Sequence, residues 1–518
     1  MTIDTVEKKQ PPADEEKQEE QQKLEVADKE YGRAWEAHAD FTTVGRRHTR
    51  VEGPDKVTGR ARYSYDIHLS GQLYARVLRS PHPHARIVAI DTSAAEALPG
   101  VRAVISSATI KDVPWYETSQ LFDSTVRFVG DEVAAVAADS IDIAEDALRL
   151  IEVEYEVLPF VVDLERALTP GAPLVHAEGN LVDEPKEYQR GDIEAGLAAA
   201  DVVIEQTYVT QTALHNSLEP HGCTAAWEGE NLTIWSSTQS VWKVRSDVAE
   251  ALGLSEQRVR VIKQHMGGGF GAKQIAWKHD AIAALLSRAS GRPVQLMLDR
   301  ESENLATGNR NSTIQRVRIG ARRDGTLTAI DAAIDVATGA YQVGGEGSNV
   351  AGIYQGLYRC DKVHTMQRGV YLNLGPAVAF RAPGFVEGAF GLESAMDELA
   401  RALDMDPIEL RQKNYTGADQ KEDKPYSLPD GLRLCYQAAS AAFDWSKART
   451  RPSGTRRRGV GVAAHTWVGG GGNPPGYAWV KINGDGSVDV VTGTQDIGTG
   501  TRTALVQIAA EELGVAPS

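Results

Sequence analysis

The sequence predicts an α+β chain of several domains, and three observations carry that reading. Segments with apolar residues at period two alternate with segments whose apolar residues fall at helical spacing. A unit of strand, polar loop and helix occurs twice, at Asn231–Leu254 and at Ser487–Val515. The 49 glycines gather in loops that follow strand-like stretches. A chain of 518 residues also exceeds one ordinary domain, and the length alone suggests about three or four.

Taken in order, residues 1–30 hold ten acids and five lysines with almost nothing to bury. Residues 1–43 therefore read as a disordered acidic tail, with ordered sequence starting near Val44. Leu73–Leu78 and Arg86–Ile90 read as strands separated by Ser80-Pro81-His82-Pro83. Ile141, Ala144, Leu148 and Ile151 share a helical face behind Ser140, a good N-cap. Val153–Val157 alternates as a half-buried strand. Residues 44–165 are expected to form one domain and 166–199 a Pro/Gly-containing link.

A second domain is expected over 200–450 and the start of a third over 451–518. Arg258–Ile262 reads as a strand, Gly267–Gly271 as a glycine loop and Ile275–Arg288 as the helix after it. Val294–Leu298 is a strand, Asp324-Gly325 a hairpin turn, and Ile330–Val336 a further strand. Leu392–Leu403 is amphipathic, and Asp406-Pro407-Ile408-Glu409 carries the cap, proline and acid that start a helix. The first copy of the repeat continues into the strand at Arg258–Ile262, whereas the second stops where its next strand is due. An edge left unpaired in this way is unfavourable, so the chain is expected to be a fragment or to be completed by a second polypeptide.

Composition narrows the function. Hydrophobic residues make up 42% and charged residues 24%, as in globular proteins. No apolar run approaches the roughly 18–20 residues that span a bilayer. A net charge of −16 argues against nucleic acid, which needs a basic face. The three cysteines, Cys223, Cys360 and Cys435, are too scattered for a disulfide framework, a CxxC zinc site or a four-thiolate cluster. Redox chemistry here needs a cofactor held by other means, or electrons must leave to another chain. The start has neither an apolar core nor a twin arginine, so a cytoplasmic protein is expected, with export open only through a partner's signal.

Three loops could carry chemistry. In Gln264-His265-Met266-Gly267-Gly268-Gly269-Phe270-Gly271-Ala272-Lys273, four glycines in five positions let backbone amides approach a ligand. At a helix N-terminus such amides suit a phosphate. The run also fits G-x-G-x-x-A with Asp299 ending the next strand, which leaves a dinucleotide reading open beside that of a structural turn. In Ala379-Phe380-Arg381-Ala382-Pro383-Gly384 the arginine is either presented to a carboxylate, carbonyl or phosphate, or paired with an acid to pin the turn. Gln495-Asp496-Ile497-Gly498-Thr499-Gly500-Thr501 packs amides and hydroxyls into a polar cradle, and Gln239 stands at the matching place in the first copy. His215, Glu219, His221 and Cys223 lie close together, but Pro220 and the irregular spacing favour structural roles over a metal site.

Together these segments resemble the molybdenum-binding large subunit of the xanthine dehydrogenase/aldehyde oxidase family, over about residues 44–518. VEGPDKVTGRARYSYDI and LYARVLRSPHPHARIVAIDTS resemble the family's α/β hammerhead domain. LEPHGCTAAWEGENLTIWSSTQSVWKVRSDVA with MGGGFGAK resembles its first molybdopterin-binding domain, AFRAPG its active-site arginine loop, and TGTQDIGTGTRTALVQIAAEELG the start of the second, incomplete, α+β molybdopterin-binding domain. The resemblance implies that Gln239 bonds the metal's oxo group, and that Gly267, Gly268, Gly269, Phe270 and Gly271 wrap the metal–dithiolene end. It implies that Ala379 and Phe380 line the cofactor, that Arg381 orients substrate as the catalytic arginine, and that Gly498, Thr499, Gly500 and Thr501 contact the pterin or its phosphate tail. No side chain ligates the metal in this family. A molybdenum-bound hydroxide attacks an electron-poor carbon, hydride passes to a sulfido ligand, and electrons leave through iron–sulfur clusters and FAD. With so few cysteines, those centres are expected on a small iron–sulfur subunit and a medium FAD subunit.

Two departures bear on activity. The family's catalytic glutamate lies near the C-terminus of the large subunit, and nothing past Ser518 supplies it, so this chain as given is expected to be inactive. Gln274 follows Lys273 where purine-oxidising members resemble GGK-Glu, and Ala382-Pro383 follows Arg381 where they have Gly-Phe. Loss of that acid and that aromatic disfavours xanthine and favours an aldehyde or an aromatic or heterocyclic substrate, including an aromatic thioester. The DIGTGT stretch resembles members that use the cytosine dinucleotide form of the cofactor. The alternatives are an NAD-dependent oxidoreductase built on Gly267, Gly269, Ala272 and Asp299, and a non-catalytic scaffold of the same fold.

Overall fold

A computed structural model describes Trp35 and residues 40–343, 348–426, 428–448, 455, 459–467 and 477–517. Most of the expected acidic tail, and the first residues of the segment expected to open the third domain, lie outside the described residues. The chain divides into two compact units, Arg62–Trp467 on the one hand and Met1–Ala61 with Val468–Ser518 on the other.

The large unit is built on two sheets. One has seven strands in the order Val259–Ile262, Asn231–Ser236, Gly222–Glu228, Val294–Met297, Leu73–Arg79, Glu132–Ala138 and Val101–Ser106. The N-terminal α/β region therefore does not close its own main sheet. Its strand Leu73–Arg79 pairs in parallel with Val294–Met297, Leu73 opposite Val294, so its strands extend the sheet of the middle region. The strand Glu132–Ala138 is buried throughout, and Leu73, Ile234 and Leu296 share one core with Ile282 and Leu286 of the helix Lys278–Ser290.

The second sheet has five strands in the order Val202–Thr210, Thr313–Ala321, Leu327–Gly339, Val363–Tyr371 and Lys186–Arg190. The segment expected as a link thus supplies an edge strand to this sheet, and also the helix Ile193–Ala198, which Asp192 caps. The helix Phe385–Ala402 packs Leu392, Met396 and Leu399 against Val317, Ile319, Ile330 and Ile334 of the sheet. It starts seven residues before the expected Leu392. A smaller three-stranded sheet joins Thr125–Val126, Ala85–Asp91 and Glu152–Val157.

The local signals behave as the sequence suggests. Ser140 accepts from the Ile143 amide at the head of Ile141–Arg149. Asp406 accepts from the Ile408 and Glu409 amides ahead of Pro407–Asn414. Asp324-Gly325 turns the hairpin of Thr313–Ala321 and Leu327–Gly339.

In the small unit, Ala478–Ile482 and Val488–Thr492 form an antiparallel hairpin, and the helix Thr501–Leu513 follows. Both copies of the repeat are therefore strand, loop and helix. The Glu511 carboxylate accepts from the amides of Thr42, Thr43 and Val44 at 3.0, 2.6 and 2.9 Å. These bonds hold its pKa well below the usual carboxylate range, at about 2.

Candidate active site

The glycine loop hangs between the strand Val259–Ile262 and the helix Lys278–Ser290. The helix starts three residues later than expected, because residues 272–277 stay bound to their surroundings. Trp277 Nε1 donates to the Ala272 carbonyl at 2.8 Å. The Lys273 carbonyl accepts from the Gln239 amide at 2.7 Å and from Thr238 Oγ1 at 3.1 Å. The glycine amides consequently do not head this helix. Asp299, for its part, caps the helix Arg300–Ala306 by accepting from the Ser302 amide at 2.7 Å. Neither feature has the strand–turn–helix placement that a dinucleotide fold requires.

Gln239, buried at 8% exposure, closes the loop from the other side. Its Oε1 accepts from the Gly271 amide at 2.8 Å. A Cβ on Gly269 would sit 2.5 Å from that same oxygen, so only glycine leaves room for it. Phe270 lies in the left-handed region at φ 55° with its ring 47% exposed.

The arginine loop meets the glycine loop directly. The Arg381 amide donates to the Phe270 carbonyl at 2.7 Å, and a Cβ on Gly271 would strike the Ala379 carbonyl. Arg381 and Ala382 are both left-handed, at φ 27° and 61°. Two successive non-glycine residues in that region are strained and persist only where neighbours hold them. Arg310 does so by donating to the carbonyls of Phe380 and Arg381 while pairing with Glu387 at 2.8 Å. Arg310, not Arg381, makes the ion pair that pins the turn, and the Arg381 guanidinium has no hydrogen-bond or ion-pair partner among the described residues. Phe380 is sandwiched between the His215 ring at 4.2 Å and the Arg310 guanidinium at 4.6 Å.

The His/Glu/Cys run turns out to brace these loops. His215 Nε2 lies 2.8 Å from the Ala379 carbonyl, and burial pulls the imidazole down to about 4, so it is neutral at pH 7. Glu219 accepts from the Gly267 amide at 2.6 Å and from Ser237 Oγ at 2.9 Å. His221 pairs with Glu303 at 3.0 Å, and Cys223 Sγ faces the His279 carbonyl. Lys273 is fully buried and donates to the Glu219 carbonyl and Ser237 Oγ, both at 2.7 Å. Burial lowers its ammonium to about 8. Among the described residues no group of three or more His, Cys, Asp or Glu side chains could hold a metal ion. Gln274 is exposed.

Gly498, Thr499, Gly500 and Thr501 belong to the small unit. There Asp496 accepts from the Gly498 and Arg502 amides at 2.8 and 3.2 Å. The Gly498 carbonyl accepts from Arg50 at 2.9 Å, and Gly500 at φ 89° turns the chain into the helix Thr501–Leu513. The large unit therefore brings together Gln239, the loop Gly267–Gly271, Ala379, Phe380 and Arg381.

Comparison with known proteins identifies the assembly. Residues 58–159 match the a/b hammerhead domain of aldehyde oxidase and xanthine dehydrogenase. Residues 175–415 and 438–518 each match a molybdopterin cofactor-binding domain. The large molybdopterin subunit of nicotinate dehydrogenase from Eubacterium barkeri is 34% identical over 388 residues, covering 72% of this chain and 90% of the relative. The chain belongs to the xanthine dehydrogenase/aldehyde oxidase family. The molybdenum-binding subunit of an aldehyde oxidoreductase from Escherichia coli (strain K12) is 34% identical over 484 residues, 91% of this chain and 64% of the relative. The structure of quinoline 2-oxidoreductase from Pseudomonas putida 86 is similar with a TM-score of 0.80 at 29% identity, covering 92% of this chain and 66% of that one. The chain thus spans about 64% of the length of its Escherichia coli relative in this family. Among the described residues no helix is long and apolar enough to cross a membrane.

Sequence reasoning missed Arg310, Glu387 and Glu303, and gave Glu219 and Lys273 no role at the loops. Each is a charge buried against a loop that lies far away in sequence. Only the flanking Asn309 and Asn311 mark Arg310 locally, and they do not announce an ion pair.

Proposed function

We propose that this chain supplies the cofactor-binding part of the catalytic subunit of a molybdenum hydroxylase that oxidises an aldehyde or an aromatic or heterocyclic compound. The observation that carries the reading is the pair of bonds, Gly271 amide to Gln239 Oε1 and Arg381 amide to Phe270 carbonyl, that joins three loops. The residues fit the cofactor. Glycines at 267, 269 and 271 sit where a Cβ would collide with Glu219, Gln239 or Ala379, so only glycine lets this loop pack against its neighbours and hold the backbone that would face the cofactor.

Gln239 would donate its amide to the centre, Gly267–Gly271 with Phe270 would wrap it, and Gly498–Thr501 would hold the pterin or its phosphate tail, which we read as the cytosine dinucleotide form. When bound, the group supplies a two-electron oxidation in which the added oxygen comes from water. Arg381, whose backbone is held by the Phe270 carbonyl and by Arg310, would orient the substrate and stabilise negative charge that develops on it. The exposed amide of Gln274 and the Ala382-Pro383 pair leave purines without an acidic contact or an aromatic clamp. A small iron–sulfur subunit and an FAD subunit would carry the electrons away in the cytoplasm.

In the complete complex, Arg381→Ala is expected to lower kcat about 10²–10³-fold while molybdenum and pterin contents stay at the wild-type level. Unchanged turnover would remove Arg381 from the mechanism, and loss of cofactor would make it a binding residue instead.

A further inference from the structure

Resting on the role just given to Arg381, we propose that Arg310 and Glu387 are positioning residues that set this arginine and lock its loop to the glycine loop. One guanidinium makes four contacts around a single turn. It donates to the Phe380 carbonyl, donates to the Arg381 carbonyl at 2.9 Å, pairs with Glu387 at 2.8 Å, and stacks on the Phe380 ring at 4.6 Å. A planar fork serves the carboxylate from one nitrogen and two carbonyls from the other while lying over the Phe380 ring, a geometry that the single nitrogen of an ammonium does not reproduce. Arg310 is itself fixed, because its amide donates to the Ala213 carbonyl at 2.8 Å and the neighbouring Asn309 carbonyl accepts from the Val378 amide at 2.9 Å.

Glu387 lies in the first turn of Phe385–Ala402 at 2% exposure, and one of its oxygens, Oε1, has no hydrogen-bond partner. A buried carboxylate in that condition is tolerated only while Arg310 stays beside it. The pair therefore ties three segments together: the loop before Thr313–Ala321, the arginine loop, and the helix that follows it. Its effect falls on Arg381 and Ala382, whose left-handed backbones would relax without it. Relaxation there also removes the Arg381 amide from the Phe270 carbonyl, the bond that joins the two loops.

The test uses the full chain in its complex, with Arg310→Lys and the milder Glu387→Gln, and reads amide exchange together with kinetics. Amide exchange over residues 378–386 and 266–272 is expected to rise together by about tenfold or more in both variants, with the helix Lys278–Ser290 unchanged. The kcat is expected to fall about 30-fold in Arg310→Lys with KM changed far less, and to fall no further when Arg310→Lys is added to Arg381→Ala, because the pair acts through Arg381. Unaltered exchange in both variants, or kcat losses that multiply with that of Arg381→Ala, would overturn the proposal. A harmless Arg381→Ala alongside raised exchange would instead sink the catalytic reading and leave the positioning intact.

Discussion

Gly271→Ala is expected to weaken retention of the cofactor sharply while leaving the chain folded. Gly271 adopts φ 116°, where a side chain is strained before any neighbour is considered. The added Cβ would run into the carbonyl group of Ala379 and the nitrogen of Phe380, which are backbone atoms that cannot rotate aside. Relief requires the arginine loop to move out, which breaks the Arg381–Phe270 bond, or the glycine loop to move, which breaks the bond to Gln239. Strain of about 1–3 kcal/mol at such a position, added to the collision, corresponds to about ten- to hundredfold weaker retention of the cofactor. Molybdenum and pterin contents after gel filtration check this, with Gly484→Ala, which meets open space, as the control. Full loading of Gly271→Ala would show that the two loops do not need their contact.

Lys278→Met is expected to be the most destabilising single change in the large unit. Lys278 is 2% exposed and lies 3.7, 3.6 and 3.5 Å from Asp123, Asp131 and Glu132, with its ammonium over the Tyr341 ring at 5.4 Å. It stands at the head of the helix that follows the glycine loop, and the three acids come from the N-terminal α/β region. Removing the cation leaves buried carboxylates uncompensated at a cost of about 3–5 kcal/mol, against a typical total of about 5–15 kcal/mol. Burial already holds the Asp131 carboxyl above its usual range against the pull of Lys278. Without the lysine that carboxyl rises further, so the folded variant binds more protons than the unfolded chain. Its stability is greatest at acid pH and is lost as pH rises through the raised value. Urea unfolding should therefore show a deficit smaller near pH 5 than near pH 8, partly restored by adding Asp131→Asn. A deficit independent of pH would mean that the lysine matters for its packing alone.

The fold was legible where the signal is local. Ser140 and Asp406 announced their helices because an N-cap needs only its own next residues, and Leu73–Arg79 and Glu152–Val157 showed themselves by composition and alternation. The repeat pointed to two strand–loop–helix units, and both formed. What could not be read is pairing across long separations. Nothing near Leu73 says that Val294 lies opposite, so the N-terminal region was expected to stand as its own domain. The late start of Lys278–Ser290 has a similar cause, since the apolar spacing extends back to Ile275 but Lys273 and Trp277 are committed to Gln239 and Ala272.

The site followed the same division. Glycine clusters and an arginine among turn formers marked the loops, because backbone approach and rigidity have a signature in residue type. Their support had none. His215, Glu219, His221 and Cys223 looked like one cluster, yet each serves a different partner: Ala379, Gly267, Glu303 and His279. Arg310 and Glu387 are 77 residues apart, and nothing near either one marks it as the other's partner. That Arg310 rather than Arg381 pairs with Glu387 could not be read from AFRAPG, because the pair joins segments far apart in the chain.

Every role given to these loops requires that they grip a pterin whose metal performs the oxidation. Metal and pterin analysis of the complex isolated from its source decides this. About one molybdenum and one pterin are expected for each copy of this chain, both lowered in Gly271→Ala. A folded, active complex that contains neither, or that carries a nicotinamide nucleotide in their place, would contradict it.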